Sequence, residues 1–307
     1  MSDATEKLLQ TLDLETLEHN LFRGRSPDTG WQRVFGGQVI GQALVAAQRT
    51  VPQERKVHSL HGYFLRPGDP AVPIIYEVDR IRDGGSFTTR RVVGIQHGQA
   101  IWSMSASFQR QEDGLDWHEA MPDVTPPGKL PGEKEIAATM DSMGDALPDA
   151  VKRYWKRNRP IELRTTSYEH YLTTKKLPAR QDVWLRATGP IPHDHNLQCA
   201  VLAYASDMTL LDTSLYPHGR KIFDPDLQVA SLDHSMWFHR PIDVNKWHLY
   251  TQDAPNTSGS RGLTRGSLYT EEGVLIASVA QEGLIRMKDP NRVKRGESSL
   301  PLEKRQG

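Results

Sequence analysis

The sequence predicts an α+β fold built twice over: two tandem units, each an apolar helix wrapped by a curved antiparallel sheet. The run "HSLHGYFLRP" at 58–67 returns as "LDHSMWFHRP" at 232–241, 174 residues later. The segment "TTRRVVGIQHGQAIWSMSASFQ" (88–109) aligns in the same way with "LTRGSLYTEEGVLIASVAQEGL" (263–284). Its anchors, Thr89/Thr264, Arg90/Arg265 and Gly98/Gly273, are each 175 residues apart. A near-constant offset held across separate strands marks a duplicated supersecondary unit.

The elements follow the same order in both copies. First comes a helix, "FGGQVIGQALVAAQ" (35–48) or "HNLQCAVLAYASDM" (195–208). Each has too few polar residues for a solvent face, and a helix apolar nearly all round is buried. Its Gly and Ala content lets a sheet approach the helix backbone closely. The repeated aromatic strand is next, followed by a strand at "VPIIYEVDRI" (72–81) or "WHLYTQDAP" (247–255). A hairpin closes each unit, with "QHGQ" (96–99) or "TEEG" (270–273) as its turn. The units are placed at 12–109 and 161–288, with a linker at 110–160 and a charged tail at 289–307. The linker opens with "RQEDGLDWHEAMPDVTPPGKLPGEKE" (110–135), whose prolines and acids suit a connection rather than a core element. A helix is predicted at "DAVKRYWKRNR" (149–159), with its basic residues on a solvated face.

Composition narrows the function. At 307 residues the chain has room for two domains or one large one. Hydrophobic residues make up 37% and charged residues 25%, enough apolar material for a packed core. Lys+Arg and Asp+Glu balance at 38 each with no basic stripe, so no nucleic-acid partner is expected. One cysteine, Cys199, excludes an intramolecular disulfide framework and suits a reducing compartment. No apolar run reaches the ~18 residues of a membrane span. The N-terminal segment is acidic and amphipathic, without the basic start and apolar stretch of a signal peptide. The terminal "EKRQG" is not the Ser-Lys-Leu peroxisomal address. These features predict a soluble, cytoplasmic protein.

Chemistry is sought where the copies differ. Asp207 ends the second helix, where the first copy has Ala47. A carboxylate at a helix C-terminus faces the negative end of the macrodipole. Asp207 is therefore either hydrogen-bonded in a buried place or simply solvated beyond the core. Gln281 follows Leu275, Ala277 and Val279 on one face of a strand, where the first copy has Ala106. It is either a site residue or a cap on a loose backbone group. Ser231 opens the repeated strand, where the first copy has Val57, and is by itself an ordinary local hydrogen-bonder.

Other chemistries find less support. There is no Gly-x-Ser-x-Gly elbow. Cys199 sits mid-helix between Gln198 and Ala200 and reads as packing. "HDHN" (193–196) lacks a nearby third ligand, so no metal is expected. "FGGQVIG" is not Gly-x-Gly-x-x-Gly, so no dinucleotide cofactor is expected. His58, His61 and His234, on or beside the repeated strands, either line a site or satisfy backbone groups.

In their order and spacing, "FGGQVIGQAL", "HSLHGYFLRPG", "RDGGSFTTRRV", "YASD", "DHSMWFHRP" and "QEGLIR" resemble the acyl-CoA thioesterase II family, over residues 12–288. The resemblance implies a double hotdog, in which the two repeated strands pair and the units share one continuous sheet. It implies hydrolysis of acyl-CoA, here of medium to long chain, to free acid and CoA. It implies that Asp207, Ser231 and Gln281 act together on one water, with Asp207 as proton acceptor. Many members have Thr where this chain has Ser231; both supply a hydroxyl. Ala47, Val57 and Ala106 leave one such site per chain. Oxyanion donors are expected from backbone N–H groups near a buried helix N-terminus, and the acyl chain in a tunnel between helix and sheet. Arg66, Arg90, Arg240 and Arg265 stand either as CoA phosphate contacts or as structural ion-pair partners. No cofactor is implied beyond the CoA of the substrate, and a homodimer or homotetramer is. The rivals are a hotdog dehydratase or hydratase, which relies on an Asp/His or Glu/His dyad, and a non-catalytic acyl-CoA-binding protein.

Overall fold

The computed structural model describes residues 3–27, 33–142 and 158–288. Helix α1 (Asp3–Leu12) buries Ala4, Leu8 and Leu12, the apolar stripe of the amphipathic N-terminal segment. Strands β1 (Glu15–Glu18) and β2 (Leu21–Gly24) lead to α2 (Gly36–Gln48), the first apolar helix. Strands β3 (Arg55–Phe64), β4 (Ile74–Asp83), β5 (Phe87–Gln96) and β6 (Gln99–Arg110) complete the first unit. The connection carries a 3-10 turn, Pro127–Lys129, and helix α3 (Glu133–Ser142). The second unit contains β7 (Ile161–Thr165), the short helix α4 (Glu169–Leu172), β8 (Arg180–Ala187) and α5 (His195–Ser206). It continues through 3-10 turns Leu210–Ser214 and Tyr216–His218. It ends with β9 (Leu227–Ser231), β10 (Asp233–Phe238), β11 (His248–Ser258), β12 (Arg261–Thr270) and β13 (Leu275–Met287). The helix expected at 149–159 lies outside the described residues except for 158 and 159, which are not helical; the tail at 289–307 lies wholly outside them.

All described strands join one antiparallel sheet in the order β1-β2-β4-β5-β6-β3-β10-β13-β12-β11-β8-β7, with β9 beside β13. This is the double hotdog. The units meet where β3 pairs with β10, the two repeated strands. In that pair His61 lies opposite Ser235, its own counterpart in the repeat, so a local twofold axis passes between them.

Strand alternation puts the core on one face. In β6, Trp102, Met104, Ala106 and Phe108 are buried, while Ser103, Ser105 and Ser107 face outward. The inward residues wrap α2 and α5, which run antiparallel against each other. Small residues set their separation: a methyl group on Gly37 would overlap the Tyr204 carbonyl oxygen, and one on Gly41 would sit 3.2 Å from the Ala200 carbonyl. At the far end Gln48 Nε2 donates to the Asn196 carbonyl at 3.2 Å. The connection is more than a tether. Met121, Val124 and Leu130 pack on Trp184, Leu249 and Tyr269, and Trp184 Nε1 donates to the Thr125 carbonyl at 2.9 Å.

One anchor of the repeat shifts by a residue. Arg90 pairs with Ala106, but Arg265 pairs with Ala280, the counterpart of Ser105, as does Arg91 in the first unit. The turn of the second hairpin is one residue longer, so equivalent residues before it are 174 apart and after it 175. Arg91 and Arg265 therefore share the outer face, paired with Asp79 and Asp253, while Arg90 points into the core.

The helix contact gives a stability prediction. Gly37→Ala forces the two helix backbones apart and should lower the unfolding free energy by about 1–3 kcal/mol in chemical denaturation. Gly114→Ala, whose methyl group meets nothing within 4 Å, should leave it within about 0.5 kcal/mol of wild type.

Candidate active site

Asp207 is the C-cap of α5, its backbone N–H bonded to the Ala205 carbonyl. Its own helix opposes a negative charge there. The compensation comes from the other unit. The antiparallel helix pair brings the N-terminus of α2 to this point, and Phe35, its N-cap, supplies no side-chain cap. The Gly37 N–H donates to the Asp207 carboxylate instead. A Cβ on Gly36 would fall 2.5 Å from Asp207 Oδ2, so the glycine pair is what admits the carboxylate. The Gly36 N–H has no acceptor among the described residues.

Ser231 is the last residue of β9. The strand breaks at Leu232, whose N–H bonds to the Glu282 carbonyl at 2.9 Å, and resumes as β10. The same place in β3 carries a bulge between Val57 and Ser59. Such breaks re-aim side chains, and here the Ser231 hydroxyl donates to Asp207 Oδ1 at 3.4 Å. Gln281, on the inner face of β13, is 1% exposed. Its Nε2 donates to Ser231 Oγ at 2.7 Å and also to Asp207. Its Oε1 lies 2.8 Å from His234 Nδ1, and His234 Nε2 lies 2.9 Å from Ser206 Oγ. The three residues singled out by comparing the copies thus converge, with Asp207 and Ser231 partly open to solvent and Gln281 sealed behind them.

Burial raises the Asp207 pKa to about 7, against the downward pull of hydrogen bonds from Gln281, Gly37 and Ser231. No charged side chain contributes to that shift. The Tyr204 and Tyr250 hydroxyls are pushed up by burial and by the neighbouring Asp207. Burial lowers His234 to about 4, so its imidazole is neutral near pH 7. A carboxylate titrating near neutrality beside a hydroxyl and an amide can hold a water and accept its proton.

The arginines fare differently. Arg66 is exposed and donates to the Ala100 carbonyl at 2.6 Å. Arg240 donates to the Leu275 carbonyl at 2.6 Å and pairs with Asp116. Arg265 forms an exposed pair with Asp253 at 2.7 Å. Arg90 must be corrected. It is 0% exposed, and its guanidinium is spent on Thr50 Oγ1 (2.9 Å), the Thr50 carbonyl (3.0 Å) and Asp83 (2.7 Å), with further bonds to the Arg82 and Thr89 carbonyls. A buried cation with every arm engaged braces the first unit and cannot reach a phosphate.

Ala47, Val57 and Ala106 are all buried, so the equivalent positions in the first unit carry no polar side chain. Cys199 is buried, and desolvation holds its thiol far above neutrality, which leaves no thiolate nucleophile. His58 and His61 bond Ser107 and Ser235. Among the described residues no group of His, Cys, Asp and Glu is placed to hold a metal. The comparison of the copies missed the Gly36–Gly37 pair, whose counterparts in the second helix are Asn196 and Leu197. It also left His234 unassigned, although its counterpart is the apolar Leu60.

Two family models match the chain: an acyl-CoA thioesterase N-terminal domain over residues 23–109 and an acyl-CoA thioesterase over 151–284. Over 289 residues the chain is 40% identical to acyl-CoA thioesterase 2 of Haemophilus influenzae, covering 94% of this chain and 100% of that protein. The chain belongs to the acyl-CoA thioesterase family. It is also 40% identical over 287 residues to human acyl-coenzyme A thioesterase 8, covering 90% of this chain and 88% of that one. The crystal structure of an acyl-CoA thioesterase II from Mycobacterium marinum superposes with a TM-score of 0.74 at 41% identity, over 92% of this chain and 98% of that one. Membership makes the protein a thioester hydrolase, and the family's fold is the one described above.

The raised Asp207 pKa carries a stability signature. Between the unfolded value near 4 and the folded value of about 7, the unfolded chain is ionised while the folded one holds the proton. The penalty therefore grows as pH rises through this window and is complete above it. Asp207→Asn should remove it. Denaturation of both proteins at about pH 5 and about pH 8 should show the variant gaining on wild type by about 1–2 kcal/mol at the higher pH, after discounting for partial exposure.

Proposed function

We propose that the protein hydrolyses medium- to long-chain acyl-CoA by attack of a water activated by Asp207. The observation that carries this reading is the meeting of Asp207, Ser231 and Gln281 at the N-terminus of α2. Water is a poor nucleophile and needs both a base and a fixed position. Asp207 accepts one proton as the water oxygen bonds to the thioester carbon. Ser231 and Gln281 orient the water. The oxyanion that develops is met by the free Gly36 N–H at the positive end of the helix. The carbon–sulfur bond then breaks, and CoA leaves as a thiol with the proton held by Asp207. The acyl chain lies between helix and sheet. Arg66, Arg240 and Arg265, which keep surface in solvent, are the proposed CoA phosphate contacts. The chemistry uses only the chain's own groups and needs no cofactor.

We also propose a cytoplasmic homo-oligomer. On the outer face of the central strands lie Ser103, Ser105, His61, Ser235, Ala280 and Ser278, with exposed Tyr63 and Trp237, arranged symmetrically about the His61/Ser235 pair. Such a face suits back-to-back packing with a second copy. A dehydratase dyad would need a histidine open to the substrate, whereas His234 is sealed behind Gln281.

Thiol release detected with a disulfide reagent tests the reaction across acyl-CoAs of about two to eighteen carbons. KM should fall with chain length while added CH2 groups are still being buried, each worth about 0.8 kcal/mol. Asp207→Ala should lower kcat by about 10²- to 10⁴-fold, the scale of a lost general base. Ser231→Thr should keep activity and Ser231→Ala should not. An enoyl absorbance change without thiol would establish the dehydratase instead. In wild type, kcat/KM should fall as pH drops through about 7, because protonation removes the base. A midpoint near 4 would contradict the role of Asp207.

A further inference from the structure

Two more buried residues are polar only in the second unit. The repeat sets Ala46 opposite Ser206 and Leu60 opposite His234, and both first-unit residues are fully buried. With Ala47, Val57 and Ala106 this makes five apolar positions in one copy facing five polar ones in the other. The five polar residues form one connected chain: Ser206, His234, Gln281, Ser231 and Asp207.

Counting protons gives the chain a direction. A neutral imidazole has one N–H and one lone pair. The Gln281 NH2 is taken by Ser231 and Asp207, so its oxygen faces His234 Nδ1 at 2.8 Å. Nδ1 must then carry the proton. Nε2 is left as an acceptor and receives the Ser206 hydroxyl at 2.9 Å. That hydroxyl also lies 2.9 Å from the Ala203 carbonyl, but its single proton serves one acceptor at a time. In the opposite tautomer the Nδ1 lone pair would face the Gln281 oxygen. The amide would have to turn over, setting its oxygen against the Asp207 carboxylate.

We propose that His234 is a positioning residue for hydrolysis: held by Ser206 as the Nδ1–H tautomer, it keeps the Gln281 amide turned with its NH2 toward Ser231 and Asp207. Every hydrogen bond in the chain then points toward the carboxylate, stabilising its ionised form and fixing the water. The imidazole is 0% exposed and has no route to substrate, so it acts only through Gln281. Burial keeps it neutral across the working range. The other groups facing Asp207 are the Gly36–Gly37 backbone from α2, Tyr204 from α5 and Tyr250 from β11, none of them charged near pH 7. The inference rests on Asp207 being the base.

The test compares His234→Leu, which copies the first unit, with His234→Asn, whose amide can replace the Nδ1–H donor. His234→Leu should lower kcat by about 10- to 100-fold, the scale of one lost buried hydrogen bond, with KM within about twofold. The midpoint of its kcat pH profile should rise by about one unit, because Asp207 loses a donor. His234→Asn should recover most of kcat and the wild-type midpoint. Histidine ¹⁵N spectra, with the His234 signal assigned by its loss in the Asn variant, should report the Nδ1–H tautomer. A wild-type rate and midpoint in His234→Leu, or an Nε2–H tautomer, would overturn the proposal. If His234→Leu does not fold by circular dichroism, Ser206→Ala decides: a raised midpoint supports the relay and an unchanged one refutes it. Asp207→Asn runs alongside. Thiol release retained in that variant would sink the base itself. Loss there together with a wild-type His234→Leu would sink only the relay.

Discussion

The N-terminus of α2 meeting the carboxylate of Asp207 end-on is the contact on which the rest of the structure turns. It exists because the two apolar helices lie antiparallel at a separation that only small residues allow, with Gly37 against the Tyr204 carbonyl and Gly41 against that of Ala200. A side chain at Gly36 would displace the carboxylate, and one at Gly37 the facing helix. The charge on Asp207 is thus set by opposing influences. Its own helix end and its burial push the proton on, while the Gly37 N–H, the Ser231 hydroxyl and the Gln281 amide pull it off. The balance falls near neutrality, where a carboxylate is basic enough to take a proton and still ionised often enough to be ready.

The two units contribute different things to that contact. The first supplies backbone: a glycine-rich helix start whose Gly37 N–H bonds the carboxylate. The second supplies side chains. The reverse arrangement at the other end of the helix pair is closed off. There Arg55 and Arg90 are buried and tied to Thr50, Thr88, Asp83 and the Gly84 carbonyl. That network braces the β4–β5 hairpin, whereas the second unit gathers Asp207, Ser231 and Gln281 at the opposite end of the helix pair. Fusing two hotdogs in one chain permits this division of labour, because identical subunits would have to carry the same residues at both ends.

The sheet determines how accurately the side chains arrive. Gln281 is held on the inner face of β13 by strand alternation, and Ser231 reaches Asp207 because the strand breaks at Leu232. The bulge at the same point of β3 shows that the distortion belongs to the repeated architecture and was put to use in one copy only. The outer face repeats the lesson in reverse: the Arg91–Asp79 and Arg265–Asp253 pairs are equivalent in both units and serve structure in both.

Much of this could be read from the chain. The offset between "HSLHGYFLRP" and "LDHSMWFHRP" establishes the duplication, because hydrophobic pattern and turn spacing are local properties of a strand; the pairing of β3 with β10 is implied by the family resemblance and is seen in the sheet. Asp207, Ser231 and Gln281 stand out by the same comparison, since a polar residue replacing a buried alanine or valine needs a reason. His234 and Ser206 carry the same signal against Leu60 and Ala46. Only the tertiary structure decided whether Asp207 was solvated or enclosed, because its partners come from α2, β9 and β13, far apart along the chain. It also decided that Arg90 turns inward while Arg265 turns outward: a one-residue difference in a hairpin turn reverses the face, and no pattern within either strand records it. The side-chain chemistry was written locally; its protonation and direction follow from what the fold packs against it.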